Sequence, residues 1–407
     1  MAAGTITITK TPKDLAPGYN PMIYVANTTT AVGTKTNFSF VVDVYLSGSG
    51  TKAFRYLQPP DPVTNECIID IHRVIEKYLT SDIYDTTNTA GSVICSNSLI
   101  DYVVEFGEAF DDPTYTIYDG LTVDSSRDAI NASLTKQNYL DWDFDDYKTN
   151  GLTKKFLTNS TSTLYTSIND YGALYFYKFA TLAGYATEYK TYDSAGALIG
   201  TYQAAVSNSE DIKYTPANPA SINLVTLSSG VQPVIDTNVA TYTVQIIQTG
   251  TGFDRSEIKT FVIREKCGYD VYSMAFLNAL GGFDKFNFYK RSDVTKKIER
   301  RTMKTVDFSA DGAGGVSESM ANFQNKTFYS KTSEEVKVFS DWLTEDQVVW
   351  LEELVTSTEV YLQNGAELIA VGSIGNTSYE IKKKINEKLF LLELTFTKSN
   401  DNYRQRW

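Results

Sequence analysis

One histidine stands in 407 residues, and it is His72. A Ser–His–Asp triad or a multi-histidine metal site would have to be built around that single ring, which removes the commonest hydrolase and zinc designs. Cysteine is almost as scarce. Cys67, Cys95 and Cys267 are too few and too far apart for a disulfide framework or paired metal ligands, and they read as small buried residues of a chain made in a reducing cytoplasm. No apolar run approaches the length of a membrane span, and the first six residues lack the basic start and apolar core of a secretory signal, so no membrane partner is expected. Positive charge is in deficit as well. The net charge of -12 makes the surface as a whole repel nucleic acid. Gly281-Gly282 and Gly314-Gly315 lack the Lys-Ser/Thr of a phosphate loop and read as turns.

What the chain has in plenty is aromatic and β-branched residues, with 28 Tyr and 21 Phe. These favour pleated, half-buried surfaces, so the expected fold class is mainly β: two β-sandwich-like domains and a C-terminal α+β module of one helix on a small antiparallel sheet. Residues 1–115 alternate as strands, with one helix capped by Asp70 that buries Ile71, Val74, Ile75, Tyr78 and Leu79. Residues 116–160 have weak periodicity and read as a connecting segment. Residues 161–265 hold six short apolar runs, Ile222–Leu227 among them, and Asp193-Ser-Ala-Gly196 reads as a hairpin turn between two of the others. The module follows at 266–407. Its helix has a capping box at Thr344 and Gln347, a hydrophobic staple at Leu343 and Val348, and an apolar face of Val348, Leu351 and Val355. Residues 292–321 turn polar and then glycine-rich, which reads as a long loop used for binding.

Candidate chemistry is sparse. Asp141, Asp143, Asp145 and Asp146 form the densest acidic group, but Asp146 and Leu152 stand where a calcium loop needs its glycine and its bidentate Glu. In a strand, three of these aspartates would share one solvated face over Trp142 and Phe144. No metal, cofactor or catalytic residue is assigned, and the chain is not expected to be an enzyme. The basic residues Lys290, Arg291, Lys296, Lys297, Arg300, Arg301 and Lys304 oppose only Asp293 and Glu299 in a chain acidic elsewhere. Lys382, Lys383 and Lys384, with Lys388, form a second group, and Arg404, Arg406 and Trp407 are strong interface formers near the C-terminus. Such local reversal of charge suits docking on an acidic neighbour, including another copy of the chain. Direct DNA contact is disfavoured, with segment 290–304 the place where it would occur.

The segments Pro17-Gly-Tyr-Asn-Pro-Met-Ile-Tyr-Val25, Tyr102-Val-Val-Glu-Phe-Gly-Glu108, Lys155-Phe-Leu-Thr158, Cys267-Gly-Tyr-Asp270 and Phe276-Leu-Asn-Ala-Leu-Gly-Gly-Phe-Asp284, with the helix from Trp342 to Leu354, carry a resemblance. On these landmarks the chain resembles virion structural proteins of tailed phages of Bacteroidetes hosts, the crAss-like phages and their relatives. The resemblance implies a neck, tail or baseplate component, made in the host cytoplasm and located in the virion. Its partners would be itself, as a ring-like homo-oligomer, and other virion structural proteins; no catalytic residue comes with it. Two other readings of the residues stand beside this one. The first is a host-glycan-binding attachment protein that stacks sugars on loop aromatics such as Tyr139 and Trp142. The second is a polysaccharide-degrading enzyme working with two carboxylates.

Overall fold

The computed structural model describes residues 3–46, 50, 52–149, 154–179, 184–228, 230, 233–264, 268–306, 308–310, 312–318, 320, 324–375 and 390–403. The fold is mainly β, with 48% of residues in strands against 10% in helices. Contacts divide the chain into two units, Met1–Arg264 with Leu277–Asp284, and Glu265–Phe276 with Lys285–Trp407.

The first unit holds two sheet pairs. In the first, a three-stranded sheet of Ile6–Lys10, Ile23–Thr28 and Cys67–Asp70 shares a core with a six-stranded sheet. The centre of the larger sheet is Leu99–Asp111, flanked by Ser39–Leu46 on one side and by Arg127–Ile130 and Tyr115–Val123 on the other. Alternation sends Phe40, Val42 and Val44 inward to meet Tyr24, Tyr102, Val104 and Phe106, all fully buried. The opposite face buries Asp43, which Arg55 meets at 2.6 Å and Lys52 at 2.7 Å. Burial works against the Asp43 charge, yet these hydrogen bonds outweigh it and hold the carboxyl below its ordinary range. Residues 116–123 and 127–130, read from sequence as part of a connection, therefore lie in strands of this sheet, Tyr115–Val123 and Arg127–Ile130. Their alternation is broken at Gly120, whose φ of +64° accompanies a register shift against Leu99–Asp111.

The helix expected after Asp70 is shorter than its apolar face suggests. Asp70 ends a strand, its carboxylate accepts from the amides of Met22 and His72, and the helical residues are His72–Ile75 with one tighter turn after them. Ile71, Val74, Ile75 and Leu79 are buried as expected, while Tyr78 is exposed.

The second sheet pair sets five strands, in the order Thr163–Thr166, Lys259–Ile263, Thr241–Gln248, Tyr185–Tyr192 and Leu198–Ala205, against a smaller sheet. That sheet is Ala173–Lys178, Asp211–Pro216 and Val93–Ile94. Tyr242 stacks on Phe261 with ring centroids 5.1 Å apart, beside buried Tyr189, Phe176 and Val244. The Asp193–Gly196 turn forms as expected: Asp193 Oδ1 accepts from the amides of Ala195 and Ala197, and Gly196 takes a φ of +80°. The strand expected at Ile222–Leu227 is absent. Pro219 opens a helical turn over Pro219–Ile222, and the Asn223 side chain binds the backbone of Val234 and Ile235, so hydrogen bonds replace a ladder there.

The second unit is built on an eight-stranded antiparallel sheet, larger than the one expected. Its order runs Phe283–Phe288, Tyr272–Leu277, Val360–Asn364, Glu367–Ile374, Glu393–Lys398, Asn325–Phe339 and Ser292–Lys304, with Asn402–Tyr403 beside Asn325–Phe339. The helix Glu345–Thr356 has its capping box, Thr344 accepting from the Gln347 amide and Gln347 accepting from the Thr344 amide. Leu343, Val348, Leu351 and Leu354 are buried, and Trp350 sits against Phe276 and Phe286 with centroids 5.9 and 6.0 Å away. Residues 292–304, read as the start of a long loop, form a 13-residue strand. It pairs continuously with Asn325–Phe339 from Ser292 opposite Val338 to Lys304 opposite Asn325, with one register shift after Arg301. Charge density disguised it: Val294 and Ile298 keep the two-residue period, and between them Lys296 faces Glu334 across the ladder while Lys297 reaches Glu335 on the diagonal.

Candidate assembly interface

The two strands Ser292–Lys304 and Asn325–Phe339 make an arm. Near its root the longer strand is backed by Glu393–Lys398, paired at Glu335 to Phe339, and by Asn402–Tyr403 at Lys331 and Thr332. Beyond that, from Arg300 to Lys304 and from Asn325 to Ser330, the arm is a two-stranded ribbon among the described residues. A ribbon of this kind buries no apolar face of its own and is marginal in isolation. From Val294 to Lys304 the outer strand is exposed at every position, including Val294, Ile298 and Met303.

The structure brings the seven basic residues of 290–304 onto this arm and its root. Lys290 meets Asp341 at 3.1 Å, Arg291 meets Asp293 at 2.8 Å, and Lys296 lies 3.6 Å from Glu334. Lys297 is ion-paired with Glu335 across the ladder, and Arg301 meets Glu299 at 3.1 Å and lies over the Tyr329 ring. Arg300 and Lys304 have no ion pair among the described residues. The exposed pairs contribute little to stability, since solvent screens them, and the outer strand keeps a net positive charge. Lys382, Lys383, Lys384, Lys388, Arg404, Arg406 and Trp407 lie outside the described residues, as does Cys267.

The other candidate features are occupied by the fold itself. Trp142 is buried and stacked on Tyr147 at 4.9 Å, so it does not offer a sugar platform. The Tyr139 hydroxyl donates to the Pro21 carbonyl, and Lys13 lies over its ring while donating to the carbonyls of Tyr139, Leu140 and Trp142. The aspartates of 141–146 are not in a strand: Phe144–Asp146 is a helical turn, with Asp143 accepting from the Asp145 amide at its start and Asp146 paired to Lys155. Among the described residues no group of three His, Cys, Asp or Glu could hold a metal. His72 Nδ1 lies 2.9 Å from Asp70. Cys67 and Cys95 are buried, and burial pushes the Cys67 thiol up to about 12, which keeps it a thiol rather than a reactive thiolate.

Two features escaped the sequence reading. Asp101 and Asp128 face each other on adjacent strands, and burial together with the hydrogen bond to Asp101 pushes the Asp128 carboxyl up to about 8. Two carboxyls bonded to each other leave no room for a sugar between them, so this pair lacks glycosidase spacing. The second is a pair of fully buried lysines. Lys178 donates to the Asn208 carbonyl at 2.9 Å, Lys213 to the hydroxyls of Ser207 and Ser209, and burial lowers both amines below their ordinary value. Neither pair has a local motif, because each is made by strands distant in sequence or by a loop folding back.

No protein-family model matches this chain, and no curated protein matches it. The site is therefore read from its own geometry.

Proposed function

We propose that the chain is a structural protein of a tailed-phage virion, a ring-type subunit of the neck, tail or baseplate that self-assembles and docks to other virion proteins. One observation carries the reading: an exposed, net-basic arm strand with solvent-facing Val294 and Ile298 at the edge of an eight-stranded sheet, in a chain of net charge -12. A bare edge of that length is a template for another strand, and a ribbon without a core gains its order from what it docks against. The sequence landmarks that resemble crAss-like phage virion proteins support the same role.

The test is the native mass of the full chain over a range of concentration and salt. A closed ring, or a concentration-dependent climb towards one that added salt weakens, is the expected result. A chain that stays monomeric under all conditions and is missing from purified particles would overturn the proposal.

A further inference from the structure

Among the edge strands of this molecule, the arm strand Ser292–Lys304 and the rim strand Tyr115–Val123 have opposite characters. The arm strand Ser292–Lys304 carries five basic residues against two acidic, and its even-numbered face shows Val294 and Ile298 at 51% and 53% exposure. The rim strand Tyr115–Val123 lies in a stretch, residues 111–124, with four aspartates and no Lys or Arg. Its Tyr118 turns in on Phe110 at 5.2 Å, so the odd-numbered face shows Tyr115, Ile117, Leu121 and Val123 to solvent. Near its end, Thr122 donates to the Ile6 carbonyl of another sheet, which leaves Tyr115–Asp119 as the open part.

Lysines on an edge strand bar pairing with a like-charged edge. Two arm strands meeting about a two-fold axis would set Lys296, Lys297, Arg300 and Arg301 against the same set, and like charges directly opposite are destabilising. An acidic edge is not barred. A contact between different surfaces on successive copies is heterologous, and such contacts close into rings or run on as helices.

We infer that the arm strand of one copy adds antiparallel to the rim strand of the next copy, and that this head-to-tail strand addition is the repeating contact of the ring. The inference rests on the ring-subunit reading above. Side-chain character sets the register: with Ile298 opposite Ile117, Lys296 falls opposite Asp119 and Arg300 opposite Tyr115. One face then carries an apolar, an ionic and a cation–aromatic pair in succession. Arg300 has no ion pair within its own copy among the described residues. Asp119 is held by Arg55 at 2.6 Å, yet its side chain is 56% exposed and can accept a second cation. The positive φ of Gly120 ends the matched stretch beyond Asp119.

The test compares the association of four full-length chains by sedimentation: wild type, Lys296→Glu, Asp119→Lys and the double variant. Each single reversal should weaken association about ten-fold or more, because a close unlike pair becomes a like pair, and the double variant should recover most of it. Recovery also shows that the single variants failed at the contact and not in folding. As a second measurement, Ile117→Cys with Ile298→Cys in one chain should give a disulfide-linked ladder on oxidation, and either substitution alone should give none. If wild type associates but neither reversal moves its midpoint and no ladder forms, strand addition is overturned while the ring reading stands. If wild type stays monomeric and no ladder forms in the particle either, both fall together.

Discussion

Two hairpins of this chain use the same ladder and end in opposite states. Tyr185–Tyr192 and Leu198–Ala205 are joined by a tight turn, and the first of them buries five of its eight side chains between two sheets. The arm strands Ser292–Lys304 and Asn325–Phe339 are longer, and the outer one buries none. Backbone hydrogen bonding is shared, so it does not separate them. A core does: Tyr189, Tyr242 and Phe261 remove apolar surface from water in one, whereas the other relies on cross-strand pairs, each contributing tenths of a kcal/mol. A ladder without a core has little packing to lose, and the two hairpins should answer substitution accordingly.

The largest separation should come from emptying the core. Tyr189→Ala, on the sandwich hairpin, removes a fully buried ring and should cost about 3–5 kcal/mol in urea unfolding. Ile298→Ala on the arm should leave the unfolding midpoint where it is and weaken association instead. Equal loss of stability from both would show that the arm is packed like the sandwich.

A smaller effect is expected at the Asp101–Asp128 pair. Asp128 holds its proton in the folded chain up to about pH 8, while the unfolded chain loses it near the ordinary carboxyl value of 3.8. Across that window the native state binds more protons, so this group's contribution to stability falls as pH rises. Asp128→Asn should match wild type near pH 4 and be the more stable chain near pH 9, measured by thermal unfolding across the range. A variant with the same downward slope as wild type would place the pH dependence elsewhere. The smallest effect should be at the Lys297–Glu335 pair on the arm, where Lys297→Ala should leave unfolding unchanged because both side chains reach water.

Local signals were legible in the chain. The Thr344–Gln347 capping box, the Asp193–Gly196 turn and the buried face of Ile71, Val74, Ile75 and Leu79 each lie within a few residues, where propensity and hydrogen bonding act without help. Errors gathered where distant partners decided. Residues 292–304 looked like a loop because their charges are answered by Glu334 and Glu335 some forty positions away, and 116–130 looked like a connection because its strands are held by Leu99–Asp111. Trp142, the aromatic that a glycan-binding role would use, is covered by Tyr147.

What the sequence by itself determined is the class of the molecule: a Tyr- and Thr-rich alternation that makes strands, one well-capped helix, and a supply of histidine and cysteine too small for the usual sites. Tertiary structure alone decided which edges stay bare, which aspartates face each other and which lysines are sealed from water. Those outcomes depend on which strands become neighbours, and strand neighbours are chosen by burial over the whole fold rather than by residues adjacent in the chain.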